Sequence, residues 1–260
     1  MTVLFEISAI TLYLLAAAYQ GAFLLNLAKQ PQKTLLLGLS ALALLCHGIS
    51  LFSRPIDLGL LNISSLFFWF IALLALLSTL RRPTYNLLVV LLPLAALAIA
   101  AGMSNTTAQP LQSHLSKGML SHILSSILAY SVLTIAMFQA IALSIQDHQL
   151  KQHHVKGIIR ALPPLQTMEA MLFELLWIGV VLLSISILSG IVFLEDIFAQ
   201  HLIHKTALSI AAWCIFSTLL WGHWQLGWRS QTAVRWTIGG FIALMLGYFG
   251  SKFVLEIILQ

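Results

Sequence analysis

Residues 118–136 read GMLSHILSSILAYSVLTIA. One ionisable side chain, His122, stands near the start of a run that is otherwise apolar or small, and the run continues apolar to about residue 145. At about 1.5 Å of rise per residue, that length crosses the roughly 30 Å of a bilayer's hydrocarbon. Inside hydrocarbon only a helix satisfies its own backbone hydrogen bonds without closing a barrel. The stretch therefore reads as a membrane-spanning helix, and the fold question becomes how many more the chain holds.

Similar runs recur from end to end. We read eight spans, near residues 5–27, 34–53, 60–80, 86–102, 119–145, 169–192, 203–222 and 234–257. The composition agrees, with 60% hydrophobic and only 8% charged residues in 260, far from the balance of a soluble domain. The expected fold is all-α, an integral membrane bundle forming a single polytopic domain over residues 1–260. The start, MTVLFEISAI, lacks a basic leader region and its apolar run reaches spanning length, so the first helix is expected to stay in the mature chain.

Orientation follows from the basic residues between spans. Lys29, Lys33, Arg81, Arg82, Lys151, Lys156, Arg160, Arg229 and Arg235 fall on one side, and Arg54, Lys117, Lys205 and Lys252 on the other. The richer side is cytoplasmic, which puts both termini outside. The net charge of +5 then marks topology and calls for no nucleic-acid partner.

Soluble-type chemistry is poorly represented. The chain carries no phosphate-binding loop, no dinucleotide glycine fingerprint and no zinc-protease helix motif. Cys46 and Cys214 fall inside spans and read as packing residues. The longest loop, QDHQLKQHHVKGIIRALPPLQTME at 146–169, sets His148, His153 and His154 among lysines. A basic face against anionic lipid is the better reading there, ahead of a metal site. Glu6, Glu169, Glu174 and Glu256 all fall near helix ends, so no buried carboxylate relay is visible and a transporter is the weaker reading.

Ionisable groups within the hydrocarbon remain, and each invites a functional reading because its placement is costly. His47, in LLCHGIS at 44–50, lies about six residues, roughly 9 Å, below the external end of its span. His122 lies about four residues, roughly 6 Å, below the external start of its own. The two thus share a depth. Ser125, Ser126 and Ala129 follow His122 on one helical face, a small-residue stripe that admits another helix or a flat ligand, and we expect that face to be open. Neutral imidazole is a common axial ligand of haem iron. The bland alternative is a histidine hydrogen-bonded to a serine or carbonyl of the next helix. His223, in LLWGHWQLGWRSQTAVRW at 219–236, marks a cytoplasmic helix end, where Trp221, Trp224, Trp228 and Trp236 with Arg229 and Arg235 form an interfacial belt. His201 and His204 stand at an external mouth.

Taken in order, LLNISSLFFWF at 60–70, HILSSILAYSVLTIA at 122–136, GWRSQTA at 227–233 and GYFGS at 247–251 resemble segments of the cytochrome c assembly, or haem-handling, membrane proteins. These include the cytochrome c synthetase and the haem delivery subunit, and the branch the chain most resembles is that of the YpjD-type inner membrane proteins. The resemblance implies a multi-pass protein of a bacterial inner membrane, haem b as cofactor, and a role in cytochrome c maturation. It places His122 at the family's external haem-ligand histidine and His223 near a histidine at the inner end of a later helix. Two features depart from the pattern. FLEDIFAQHLIHK at 193–205 holds no tryptophan where haem-presenting members carry a tryptophan-rich motif, and SKFVLEIILQ at 251–260 holds no second external histidine. Indole faces shield and stack on a porphyrin, which Glu195, Asp196 and His204 do less well. A second ligand must then come from His47, His201 or His204, with His47 first by depth.

The reading that results is a haem-binding inner membrane protein, ligated by His122 and His47 with His223 and His204 as further cofactor contacts, which assists maturation without catalysing it. The alternative keeps the scaffold and loses the haem, leaving an accessory subunit bound to lipid and to another inner membrane protein. Serine and glycine on helices five, six and eight would then mark protein contacts.

Overall fold

The structure, a computed structural model, describes residues 2–25, 32–53, 60–82, 84–104, 117–152, 162–193 and 200–247, with the backbone alone for residues 60, 81 and 200–204. Eight helices are described: α1 Thr2–Leu24, α2 Lys33–Phe52, α3 Leu60–Arg81, α4 Tyr85–Met103, α5 Lys117–Lys151, α6 Leu165–Phe193, α7 Gln200–Leu226 and α8 Ser230–Met245. Seven of them, α1 to α7, are long and apolar enough to cross a membrane. The eighth begins four residues before the expected 234, and the stretch from 248 to 257 lies outside the described residues.

Several boundaries differ from expectation for one reason. The helices of the second half run past their apolar stretches: α5 covers 117–151 where 119–145 was expected, α6 begins at 165 rather than 169, and α7 ends at 226 rather than 222. Part of the presumed 146–169 loop is therefore helix. At 35 residues α5 is about 52 Å long, well beyond the hydrocarbon thickness. His148 lies exposed in its last turn, whereas His153 and His154 fall outside the described residues.

The helices group into two compact units, α1 to α4 in the first and α5 to α8 in the second. In the first, α1 packs on α2 and α4, and α3 packs on α4 and α2. A Cβ at Gly48 would lie 3.1 Å from the Trp69 indole nitrogen. The bare backbone lets that ring approach, and its N–H donates to the Leu44 carbonyl at 3.0 Å. Across α1 and α4, Gln20 donates to Asn86 at 3.3 Å. Glu6 is buried and accepts from the Ser50 hydroxyl at 3.1 Å.

In the second unit α5 packs on α6 and α8, and α7 packs on α8 and α6. Glycines decide how closely these helices meet: Gly179 of α6 lies beneath Leu133 of α5, Gly240 of α8 beneath the Phe216 ring of α7, and Gly222 beneath Trp228. Gly227, at φ +65°, takes the left-handed conformation that turns α7 toward α8. Polar side chains tie the end of the unit near that turn. Arg229 donates to the buried Glu169 at 3.1 Å, and Lys151 and Gln231 each donate to Asp147 at 2.8 Å. Glu6 and Glu169, read from sequence as end-of-helix carboxylates, thus hold those positions as buried, partnered groups. Cys214, expected in packing, is exposed on α7, and Cys46 is half-buried on α2.

Candidate functional site

His122 sits in the second turn of α5, facing the last two turns of α6. Its Nδ1 lies 2.8 Å from the backbone carbonyl of Ser186. A carbonyl oxygen only accepts, so Nδ1 carries the ring proton and Nε2 keeps its lone pair. Among the described residues nothing hydrogen-bonds to Nε2. The Ser189 hydroxyl donates to the same carbonyl at 2.9 Å and lies 3.4 Å from Nδ1. The Ser126 hydroxyl donates to the His122 carbonyl at 2.6 Å, and hence accepts the Ser186 hydroxyl, also at 2.6 Å. Gly190 lies against the ring, since a Cβ there would lie 3.0 Å from ring carbon Cε1.

The face beneath His122 is therefore filled, contrary to the open stripe expected. Ser125 and Ala129 are buried, and Ser126 is bonded to α6. Of the two uses a small-residue stripe permits, close approach of a helix is the one realised here.

His223, near the end of α7, repeats the electronic arrangement. Its Nδ1 donates to the Trp228 carbonyl at 2.8 Å, so its Nε2 also keeps the lone pair, again with no described partner. The ring stacks on Phe173 of α6, with centroids 3.5 Å apart and planes 17° from parallel. Trp228 is pinned over Gly222 and against Trp236, while Trp221 and Trp224 are exposed as belt residues would be.

His47 belongs to the first unit and is only 1% exposed. Both of its ring nitrogens are engaged: Nδ1 lies 3.4 Å from the Tyr13 hydroxyl and Nε2 lies 3.0 Å from the Ser65 hydroxyl. The imidazole joins α1, α2 and α3 edge-on to the Tyr13 ring. Ligation through His47 would require Ser65 to be released from Nε2 or Tyr13 from Nδ1. The side chains of His201 and His204 lie outside the described residues, as do Glu195 and Asp196.

Ser186, Ser189, Gly190, Phe173 and the Trp228 carbonyl were not singled out from sequence. The serines and glycine carried a signal in SISILSG at 184–190. Ser186, Ser189 and Gly190 repeat, at i, i+3 and i+4, the spacing of His122, Ser125 and Ser126 on the facing helix.

Among the described residues no three histidine, cysteine, aspartate or glutamate side chains gather to hold a metal ion. A protein-only zinc site draws on three or four such ligands. A single imidazole with a fixed lone pair suits a metal whose other ligands come from elsewhere, and porphyrin supplies four nitrogens to its iron.

The family model described as cytochrome C assembly protein matches residues 7–259. The inner membrane protein YpjD of Escherichia coli strain K12 is 34% identical over 228 residues, covering 84% of this chain and 86% of the relative. A protein of Azospirillum brasilense, described as an uncharacterized 28.8 kDa protein in the nifR3-like 5' region, is 31% identical over 140 residues, 53% of this chain and 52% of its own. Protein HemX of Brevibacillus brevis is 23% identical over 134 residues, 51% of this chain and 49% of its own. No solved structure matches the chain.

Proposed function

Since the chain belongs to the cytochrome c assembly protein family, and is a multi-pass inner membrane protein, we propose that it handles haem in support of cytochrome c maturation, with His122 as the residue that would hold it. One observation carries this reading: the Nδ1–H of His122 is committed to the Ser186 carbonyl, leaving Nε2 as a bare nitrogen fixed in direction. Histidines that ligate metals keep their other ring N–H on a carbonyl or carboxylate in this way, which sets the tautomer and raises the basicity of the ligating nitrogen. A haem, haem b by the family resemblance, is a group that a single imidazole can hold, and when bound it would supply redox-active iron and the vinyl groups that become thioethers in a c-type cytochrome.

The chain's own residues hold the ligand nitrogen in place, through the Ser186 carbonyl on Nδ1. They provide little for the joining step. The segment at 193–205 lacks the indoles that shield and present a porphyrin, so the reading is of carriage or storage of haem, with ligation to the apocytochrome performed elsewhere. Of the glycines and serines that would mark partner contacts in a haem-free accessory subunit, Gly179, Gly190, Gly240, Ser126 and Ser186 are used within the second unit, while Gly239 meets open space.

The test is a spectrum. Protein purified in detergent from haem-replete cells should show a Soret band and resolved visible bands on reduction, and His122→Ala should lose or shift them, with free imidazole restoring them. A wild-type protein that stays without a Soret band after added haemin would overturn the proposal and leave the accessory reading.

A further inference from the structure

We propose that Gly190 is a positioning residue for the His122 imidazole: by lacking a side chain it lets the ring lie close enough to α6 for Nδ1 to reach the Ser186 carbonyl. The haem-linked part of this inference rests on the function proposed above, whereas the part about ring position does not. A Cβ at residue 190 would stand 3.0 Å from Cε1, 3.3 Å from Nδ1 and 3.9 Å from Nε2 of His122. The first two distances are tighter than ordinary van der Waals contact, so something must give by a few tenths of an ångström.

The helices are poorly placed to give. Ser126 and Ser186 join α5 to α6 through a 2.6 Å hydroxyl bond one turn along α5 from His122. Ser125 and Ala129 are buried on α5, and Gly179 carries Leu133 farther along the same helix pair. The part left to move is the imidazole, which turns about its side-chain torsions. Cε1 lies between the two nitrogens, so pressure there both stretches the 2.8 Å bond at Nδ1 and swings Nε2. Ser189 stands ready to compete: its hydroxyl, which already donates to the Ser186 carbonyl at 2.9 Å, lies 3.4 Å from Nδ1 and would donate there once the ring loses its own proton at that atom. Loss of the carbonyl contact thus opens the other tautomer, in which Nε2 carries the proton and is no longer a ligand.

Gly190→Ala is the variant, and Gly179→Ala the control. The control also adds a methyl group between α5 and α6, but beneath Leu133. The first readout needs no haem. With ¹⁵N-histidine protein in detergent, at mildly alkaline pH where an ordinary imidazole is neutral, wild type minus His122→Gln isolates the His122 nitrogens. We expect one protonated and one bare nitrogen in wild type and in Gly179→Ala, and mixed tautomers in Gly190→Ala. The second readout is haemin titration, where Gly190→Ala should bind about ten-fold more weakly and recover its spectrum with free imidazole, while Gly179→Ala keeps the wild-type spectrum per folded molecule. Mixed tautomers in wild type, or a Gly190→Ala protein with wild-type tautomer and spectrum, would overturn the inference. If wild type binds no haem but Gly190→Ala still scrambles the tautomer, Gly190 keeps its positioning role and only the haem reading falls.

Discussion

His47 and His122 place the same side chain in membrane helices of similar composition, yet their nitrogens are used in different ways. A neutral imidazole has one donor and one acceptor. His47 commits both to hydroxyls, of Tyr13 and Ser65, and becomes a three-helix crosslink. His122 commits only its donor, to a carbonyl, and keeps an acceptor in reserve. Sequence depth singled out both and did not distinguish them, because the difference lies in what the neighbouring helix presents. Ser65 and Ser186 are both serines, but one offers its hydroxyl and the other its backbone. His47→Ala should therefore act first on stability. It strips partners from two buried hydroxyls and from an edge-on ring contact, at about 1–3 kcal/mol, which thermal unfolding in detergent would read as a lowered midpoint. With the folded fraction matched, its haem spectrum should equal wild type. A Soret band lost at equal folded protein would instead make His47 the second ligand that its depth suggested.

The elements were legible where lipid alone dictates them, and less so where protein takes over. Each apolar stretch meets a helix, seven of the eight described being long and apolar enough to cross a membrane, because hydrocarbon tolerates no other regular backbone along a single segment. Their ends were misread because hydropathy reports where lipid stops, and α5 continues past that point on polar contacts such as Lys151 and Gln231 with Asp147. The face under His122 was misread as open for a related reason: Ser125, Ser126 and Ala129 show that something can come close, and only α6 shows what does. Gly179 is the sharpest instance, since its value lies wholly in Leu133 of another helix. Gly179→Ala should overpack this contact and destabilise the second unit by about 1–3 kcal/mol. Leu133→Ala alone should also cost stability, by leaving a cavity. The double variant should be more stable than the two separate losses added together, because each change relieves the other. Strict additivity in thermal unfolding would show that the two side chains do not meet.

At the scale of the whole molecule, the proposed function depends on which way α5 to α8 run through the membrane. Charge decides this in the sequence. Lys151, Lys156, Arg160, Arg229 and Arg235 fall on one side of these helices in the sequence, against Lys117, Lys205 and Lys252 on the other. The positive-inside rule then puts Lys151 in the cytoplasm and Lys117 outside. His122, five residues into α5, comes to lie about 7.5 Å below the external end of its helix. His223, three residues from the end of α7, comes to lie near the cytoplasmic face. Single cysteines make the arrangement measurable. In a background with Cys46 and Cys214 replaced by alanine, a membrane-impermeant maleimide applied to spheroplasts should label Lys117→Cys and spare Gln152→Cys, and inside-out vesicles should reverse the result. If Gln152→Cys were the site labelled from outside, His122 would sit at the cytoplasmic face, and a haem held there would be positioned for uptake from the cytoplasm rather than for use at the outer surface.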